Sequence, residues 1–345
     1  MRTPVTVAVV GAAAAAHELA RALAALPQAS VRWVCDESSA VPQVQLLRAE
    51  PTWTHDLGQV LADEELDAVA FTSTDSAGRG LVRRALEAGK HVLIEGPLAI
   101  SSLAADQLVD TAVRNDRRLW VHTPCLGRPA VRTLHSLVER GVLGEIYYLH
   151  GLRYSAREHA GADLIWGLGA ESVALVLELL GDQPIQVTAR ADSYLGGRPD
   201  VVFAQFGFAT GIRAHLHLSR LEGVSVERLS VVGSDLTAVL DRTEAGRELS
   251  IRVSGTSTQR FDDLVLEQGS SVRLHLPPDN SLQEACIRFL TSVRSPGDMA
   301  HGRGAAAVVA VVEALEGSWN QEGESERVPV RPTPAELDNV IEFRQ

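Results

Sequence analysis

The sequence predicts two folded parts: an α/β domain built on a parallel sheet, then an α+β domain whose sheet is mostly antiparallel. Three observations predict this. Through the first third of the chain, β-branched runs alternate with Ala/Leu-rich amphipathic stretches, the order that gives βαβ units. Farther on, short runs of period-two alternation follow one another with glycines between them. The length, 345 residues, leaves room for two domains at roughly 150 residues each.

In order, Val5–Val10 reads as a strand, 14–26 as a helix ended by Pro27, and 31–35 as the second strand. A helical segment at 57–63 precedes a third strand at 68–72. Residues 78–88 form a helix stopped by Gly89, 91–94 a strand, 103–114 a helix capped by Ser101 or Ser102, and 119–121 a short last strand. A helix over 128–140, closed by Gly141, opens the second part. Residues 145–153 begin its strands, and 164–180 is a helix ended by Gly181. Strands follow at 185–191, 201–208, 212–219, 225–232, 237–241 and Leu249–Val253. In the third of these, Ile212, Ala214, Leu216 and Leu218 alternate with Arg213, His215, His217 and Ser219, giving one apolar and one polar face. Helices at 281–293 and 305–315 close the fold. Pro124 and Gly127 punctuate the junction, so the domains are expected at 1–124 and 125–319, with 320–345 a charged, exposed arm. The sequence has no internal repeat.

Composition narrows the function. Charged residues are 22% and hydrophobic ones 45%, ordinary for a globular protein. No stretch reaches the ~18 apolar residues that span a bilayer. A net charge of -12 without a basic stripe argues against a nucleic-acid partner. The odd, scattered cysteines Cys35, Cys125 and Cys286 form neither a disulfide framework nor a zinc site, which fits the cytoplasm. His215 and His217 lack a third ligand at a telling spacing, so no metal is expected.

A strand, a tight turn and a helix can seat a pyrophosphate on backbone N–H groups, and the Rossmann-like fingerprint there is G-x-G-x-x-G. This chain has Gly11 followed by Ala12 to Ala16, so the second and third glycine positions carry Ala13 and Ala16. Ala16 is a mild change; a Cβ at Ala13 intrudes where backbone meets phosphate. Asp36 ends the second strand near the ~20-residue spacing of an acid that holds a ribose 2′-hydroxyl, which favours NAD over NADP. The expected cofactor is NAD, or none, with Gly11, Ala13, Ala14, Asp36, Thr74, Asp75, Glu95 and Gly96 along its path.

The segment Ala85-Leu86-Glu87-Ala88-Gly89-Lys90-His91-Val92-Leu93-Ile94-Glu95-Gly96-Pro97-Leu98-Ala99 closely resembles the A-L-E-A-G-K-H-V-x-x-E-K-P-L-A of the Gfo/Idh/MocA oxidoreductases. Leu137 to Ile146 and Leu229 to Ser234 agree with it, so the resemblance spans roughly residues 4–317. It implies a dinucleotide domain followed by a sheet domain, and hydride transfer at the cleft between them. It also implies a lysine in E-K-P that contacts nicotinamide and the reacting hydroxyl; Gly96 stands there. The family's D-x-G-x-H-x-x-D, counted back from Leu180-Gly181, places its histidine on Glu171, its last aspartate on Ala174 and its first on Gly167. Its A-T-P reads Ser73-Thr74-Asp75, the histidine after it falls on Arg79, and its N-P reads Arg128-Pro129.

Two readings follow. In the first, the dehydrogenase site is degenerate and the chain is a non-redox enzyme, a pseudoenzyme or the partner of an active paralogue, handling a small polar, sugar-like or specialised metabolite. In the second, it is an NAD-dependent dehydrogenase of a sugar, sugar nucleotide or cyclitol with a relocated acid/base such as Glu171. Glu171, His159, Tyr154 and His122 are the acid/base candidates, and Arg128 and Arg153 suit a substrate carboxylate or phosphate. Glu171 is equally a helix-start residue favoured by the dipole, and His159 a loop residue. The alternating sheet face is expected to pair two copies as a homo-oligomer.

Overall fold

The computed structural model describes residues 3–11, 13–36, 51–72, 76–155, 163–243, 248–254, 259–261, 264–266, 270–295, 301–329 and 331. The chain divides into two compact units. The first comprises Met1–Gly127, Asn280–Val309 and Leu337–Gln345; the second comprises Arg128–Asp279 and Ala310–Glu336.

The first unit holds six parallel strands: β1 (Val5–Val10), β2 (Ala29–Cys35), β3 (Thr52–Thr54), β4 (Ala68–Phe71), β5 (His91–Glu95) and β6 (Leu119–His122). Their order is β3-β2-β1-β4-β5-β6. Helices α1 (Ala13–Ala24), α2 (Leu57–Leu61), α3 (Ser76–Glu87) and α4 (Ser102–Arg114) connect them. Strands buried on both faces read as near-continuous apolar runs, as β4 does throughout and β1 does apart from Thr6. Ser101 is the α4 cap, accepting from Ala104 N at 3.3 Å. Lys90, from the family-like segment, is buried; its Nζ donates to the carbonyls of Asp63 (2.7 Å) and Leu66 (2.8 Å), fastening the turn ahead of β4.

The second unit begins with α5 (Pro129–Glu139) and β7 (Ile146–Tyr154), then a π-helical turn (Ile165–Gly169) and α6 (Ala170–Leu180). Its strands continue as β8 (Gln186–Asp192), β9 (Val201–Gly207), β10 (Arg213–Ser219), β11 (Val226–Gly233), β12 (Leu236–Asp241) and β13 (Leu249–Val253). The short strands β14 (Gln259–Phe261), β15 (Leu264–Leu266) and β16 (Ser271–Arg273) come next. The nine-stranded sheet runs β16-β13-β12-β11-β7-β10-β9-β8-β17, where β17 is Glu326–Arg327. All pairings are antiparallel except β7 with β10. The mostly antiparallel expectation holds, with that parallel pair at its centre.

Three differences from the sequence reading have physical causes. Helix α7 (Ser281–Arg294), expected within the second domain, groups with the first unit, because Cys286, Phe289 and Leu290 pack into the core of Val7, Val9, Leu19 and Leu23. Burying one such aromatic contributes roughly 2–3 kcal/mol. Helix α8 (His301–Asn320) then supplies residues to both units. The arm after 320 is not wholly exposed: β17 pairs with β8, and Val328 is buried.

Candidate functional site

Strand order puts the reversal of a doubly wound sheet between β1 and β4, and ligands of such sheets bind beyond the carboxyl ends of the strands there. Gly11 follows β1 with φ +147°, and a Cβ on it would lie 1.9 Å from Thr72 Oγ1. Backbone therefore approaches the end of β4 as closely as a glycine allows. The Thr72 hydroxyl is itself buried and has no hydrogen-bond partner among the described residues. Helix α1 starts at Ala13, so its first N–H groups open just past this turn. Ala16, at the third glycine position, is 1% exposed and packs in the core as a small residue should. Asp36 ends β2 and is buried, with its N–H donated to Thr54 O at 3.2 Å and its carbonyl bound by His55 Nδ1. A close-approach glycine, an orphaned hydroxyl and a buried strand-end acid fit a dinucleotide.

Along the same carboxyl edge, Glu95 and His122 are register partners on β5 and β6, and Gly96 N donates to His122 O at 2.9 Å. Gly96 does not have a positive φ. A Cβ there would lie 3.3 Å from Val121 Cγ1, 3.6 Å from Thr123 Oγ1 and 3.7 Å from His122 O, so the backbone does not demand a glycine and a side chain would press on Val121. Burial pushes the His122 imidazole down to about 4.

In the second unit, an ion-pair network joins four elements. Arg153 on β7 binds Glu171 in the first turn of α6. Across the antiparallel pair its register partner is Glu227 of β11, whose Oε1 lies 3.9 Å from Arg153 Nη1 and 2.5 Å from Arg128 Nη1, at the start of α5. Arg242 holds the other oxygen of Glu227 at 3.1 Å. Burial would raise the Glu227 carboxyl, but the guanidinium groups of Arg153, Arg128 and Arg242 outweigh it and hold it below its usual value. A cavity of about 20 Å³, room for roughly one water, lies beside Arg153, Glu227 and Ser172.

Successive strand residues face opposite ways, so Tyr154 lies on the other face of the sheet from Arg153 and Glu171. Tyr154 Oη and His217 Nδ1 are 3.0 Å apart, and His217 stacks on Phe203 with centroids 4.4 Å apart. Burial and then Glu222 raise the Tyr154 phenol. Burial lowers His215 and His217, and His150 lowers each of them further.

The structure thus groups Gly11 with Asp36 in one unit, and Arg128, Arg153 and Glu171 in the other, and it sets Tyr154 apart. His159, Thr74 and Asp75 lie outside the described residues, and Ala13 and Ala14 are described in their backbone alone. Sequence reasoning missed Thr72 and Glu227, both of which depend on nonlocal register. It also missed the π-helical turn, a feature frequent at functional sites. Among the described residues no group of His, Cys, Asp or Glu could hold a metal, and no helix is long and apolar enough to cross a membrane.

Two models of one family match the chain: the NAD-binding Rossmann-fold model of the oxidoreductase family over residues 5–123, and the family's C-terminal domain model over 131–239. Inositol 2-dehydrogenase 2 of Saccharopolyspora erythraea is 29% identical over 153 residues, 43% of this chain and 45% of that protein. The chain spans about half the length of the first curated relatives it matches. Among solved structures, UDP-N-acetylglucosamine 3-dehydrogenase from Acidithiobacillus ferrooxidans has a TM-score of 0.73 at 21% identity, covering 92% of this chain and 98% of that one. GenD2 from gentamicin A biosynthesis, in complex with NAD, has a TM-score of 0.74 at 21% identity, covering 96% and 98%. These two share the fold. With both of its units matched by models of one family, over more than half its length, the chain belongs to the Gfo/Idh/MocA oxidoreductases.

Proposed function

We propose that the protein is an NAD-dependent oxidoreductase acting on a hydroxyl-bearing carbon of a small sugar-like metabolite: a sugar, sugar nucleotide or cyclitol. The carrying observation is the turn at Gly11, where the backbone passes so close to Thr72 that no side chain fits and the orphaned hydroxyl faces the turn before α1. NAD would supply the hydride acceptor. Gly11 and the start of α1 would hold its phosphates, Thr72 would donate its free hydroxyl, and Asp36 would take the ribose 2′-hydroxyl and disfavour a 2′-phosphate. The dehydrogenases and the NAD complex among the relatives support this reading. The non-redox alternative rested on Gly96, Glu171 and Ala174, and it has less support. Arg128 and Arg153 are proposed to orient the substrate's polar groups, within the limits that Glu227 and Glu171 set.

Calorimetry with NAD+ and NADP+ tests the cofactor, and reduction of NAD+ over a panel of cyclitols, aldoses, uronates and nucleotide sugars tests the reaction. Binding of NAD+ with turnover of one class is the expected result; absence of both sinks the proposal. Tyr148 (48% exposed) and Phe203 (43%) on the open sheet face support a homo-oligomer, which sedimentation would reveal.

A further inference from the structure

Building on the oxidoreductase reading, we propose that His122, rather than Glu171, exchanges the proton with the reacting hydroxyl of the substrate. Place is the first argument. His122 ends β6, at the carboxyl edge of the six-stranded sheet, in register with Glu95 of β5, whose strand runs into Gly96.

Availability is the second. The imidazole is partly buried and makes no side-chain hydrogen bond among the described residues, so a ligand's hydroxyl would satisfy a group that now has no partner. Glu171 is in the opposite position. Its carboxylate is bound to Arg153, which leans also on Glu227, and a proton on Glu171 would give up that ion pair. Tyr154 is committed to His217.

The third argument is space. Gly96 has no positive φ, and without a side chain it leaves the surface beside the His122 carbonyl open, where a Cβ would lie 3.7 Å from that oxygen. At neutral pH burial keeps the imidazole uncharged, so one ring nitrogen accepts and the other donates.

The step balances as follows. Bound NAD+ would take the carbinol hydrogen with its electron pair as hydride. The hydroxyl proton passes to the accepting nitrogen of His122, C=O forms, and the imidazolium returns its proton to solvent. Reduction runs the same path backwards.

The test compares full-length His122→Gln, His122→Asn and Glu171→Gln with the wild type, using NAD+ and the substrate class that the panel identifies. Melting curves confirm that each variant folds. The expected result is a kcat reduced by about 100-fold or more in both His122 variants, with NAD+ affinity within about twofold, and a smaller loss of kcat with a raised KM for Glu171→Gln, whose carboxylate holds Arg153. Nitrogen NMR of histidine-labelled protein gives a readout without substrate: the His122 ring should show the neutral pattern at mildly acidic pH and shift when NAD+ is added. Wild-type turnover with His122 variants within about threefold of it, or a charged His122 ring at that pH, overturns this assignment and leaves the oxidoreductase reading standing. Failure of the wild type to bind NAD+ overturns both.

Discussion

Gly11 and Thr72 are in mutual contact across the ends of β1 and β4: a methyl group on the glycine would stand 1.9 Å from the threonine Oγ1. With φ at +147°, the position is also one that L side chains avoid. Gly11→Ala should therefore destabilise the protein by about 2–4 kcal/mol, from strain and overpacking together. Urea denaturation measures it. Thr72→Val removes the orphaned hydroxyl and should leave the urea midpoint unchanged or higher, while weakening NAD+ binding by about tenfold. Unchanged NAD+ affinity in that variant would mean the hydroxyl meets no phosphate.

Asp36 offers a second check. Asp36→Ala should weaken NAD+ binding by about tenfold or more and erase any preference over NADP+, because one charge-assisted hydrogen bond is worth about 1.5–3 kcal/mol. Calorimetry with both dinucleotides settles it. A retained preference would place the ribose elsewhere.

Arg153 pairs with Glu171 and leans on Glu227, which Arg128 and Arg242 also hold, so removing it takes one partner from each carboxylate. Arg153→Met is expected to cost about 3 kcal/mol. Pairing it with Glu171→Gln should recover about 1 kcal/mol or more, the coupling that a double-mutant cycle reads. Strict additivity of the two single effects would show that the ion pair contributes nothing net.

Acid should weaken the fold through two histidines. Burial, aided by Arg117 and Arg118, pushes His91 down to about 4, and its Nδ1 accepts from Arg118 N at 2.9 Å, a bond only the neutral ring can make. Burial alone pushes His122 down to about 4. Both rings bind protons more readily when unfolded, so their contribution is complete above about pH 6.5 and is lost as pH falls towards about 4. The loss is on the order of 3 kcal/mol per histidine at most. Urea midpoints should fall across that window, and His91→Gln should flatten the slope.

Much of this was legible in the sequence because it is written locally. The β1 turn, the helix starting at Ala13, the cap at Ser101 and the αL stop at Gly181 each depend on a few neighbouring residues. The helix expected over 164–180 shows where local reading fails. Asp163 Oδ1 accepts from Ile165 N, and Gly169 N reaches back to Leu164 O, opening a π-helical turn. Gly169 closes tightly against Leu218 of β10, where a Cβ would sit 3.2 Å from Leu218 Cδ1. That contact belongs to tertiary packing and leaves no period in the sequence. The site was half legible for the same reason: Glu171 and Arg153 could be named as candidates, but their pairing depends on α6 meeting β7. Glu227 enters only through strand register.

The return of Asn280–Val309 to the first unit has a consequence for how the protein is made. Synthesis starts at the N-terminus, so all six strands of the parallel sheet leave the ribosome long before Phe289 and Leu290. Until then the surface that α7 covers, around Leu19 and Leu23, stays wet on the nascent chain. A fragment cut at Gly127 would carry that bare patch permanently and should aggregate. In this protein the first domain to be translated is among the last to be finished.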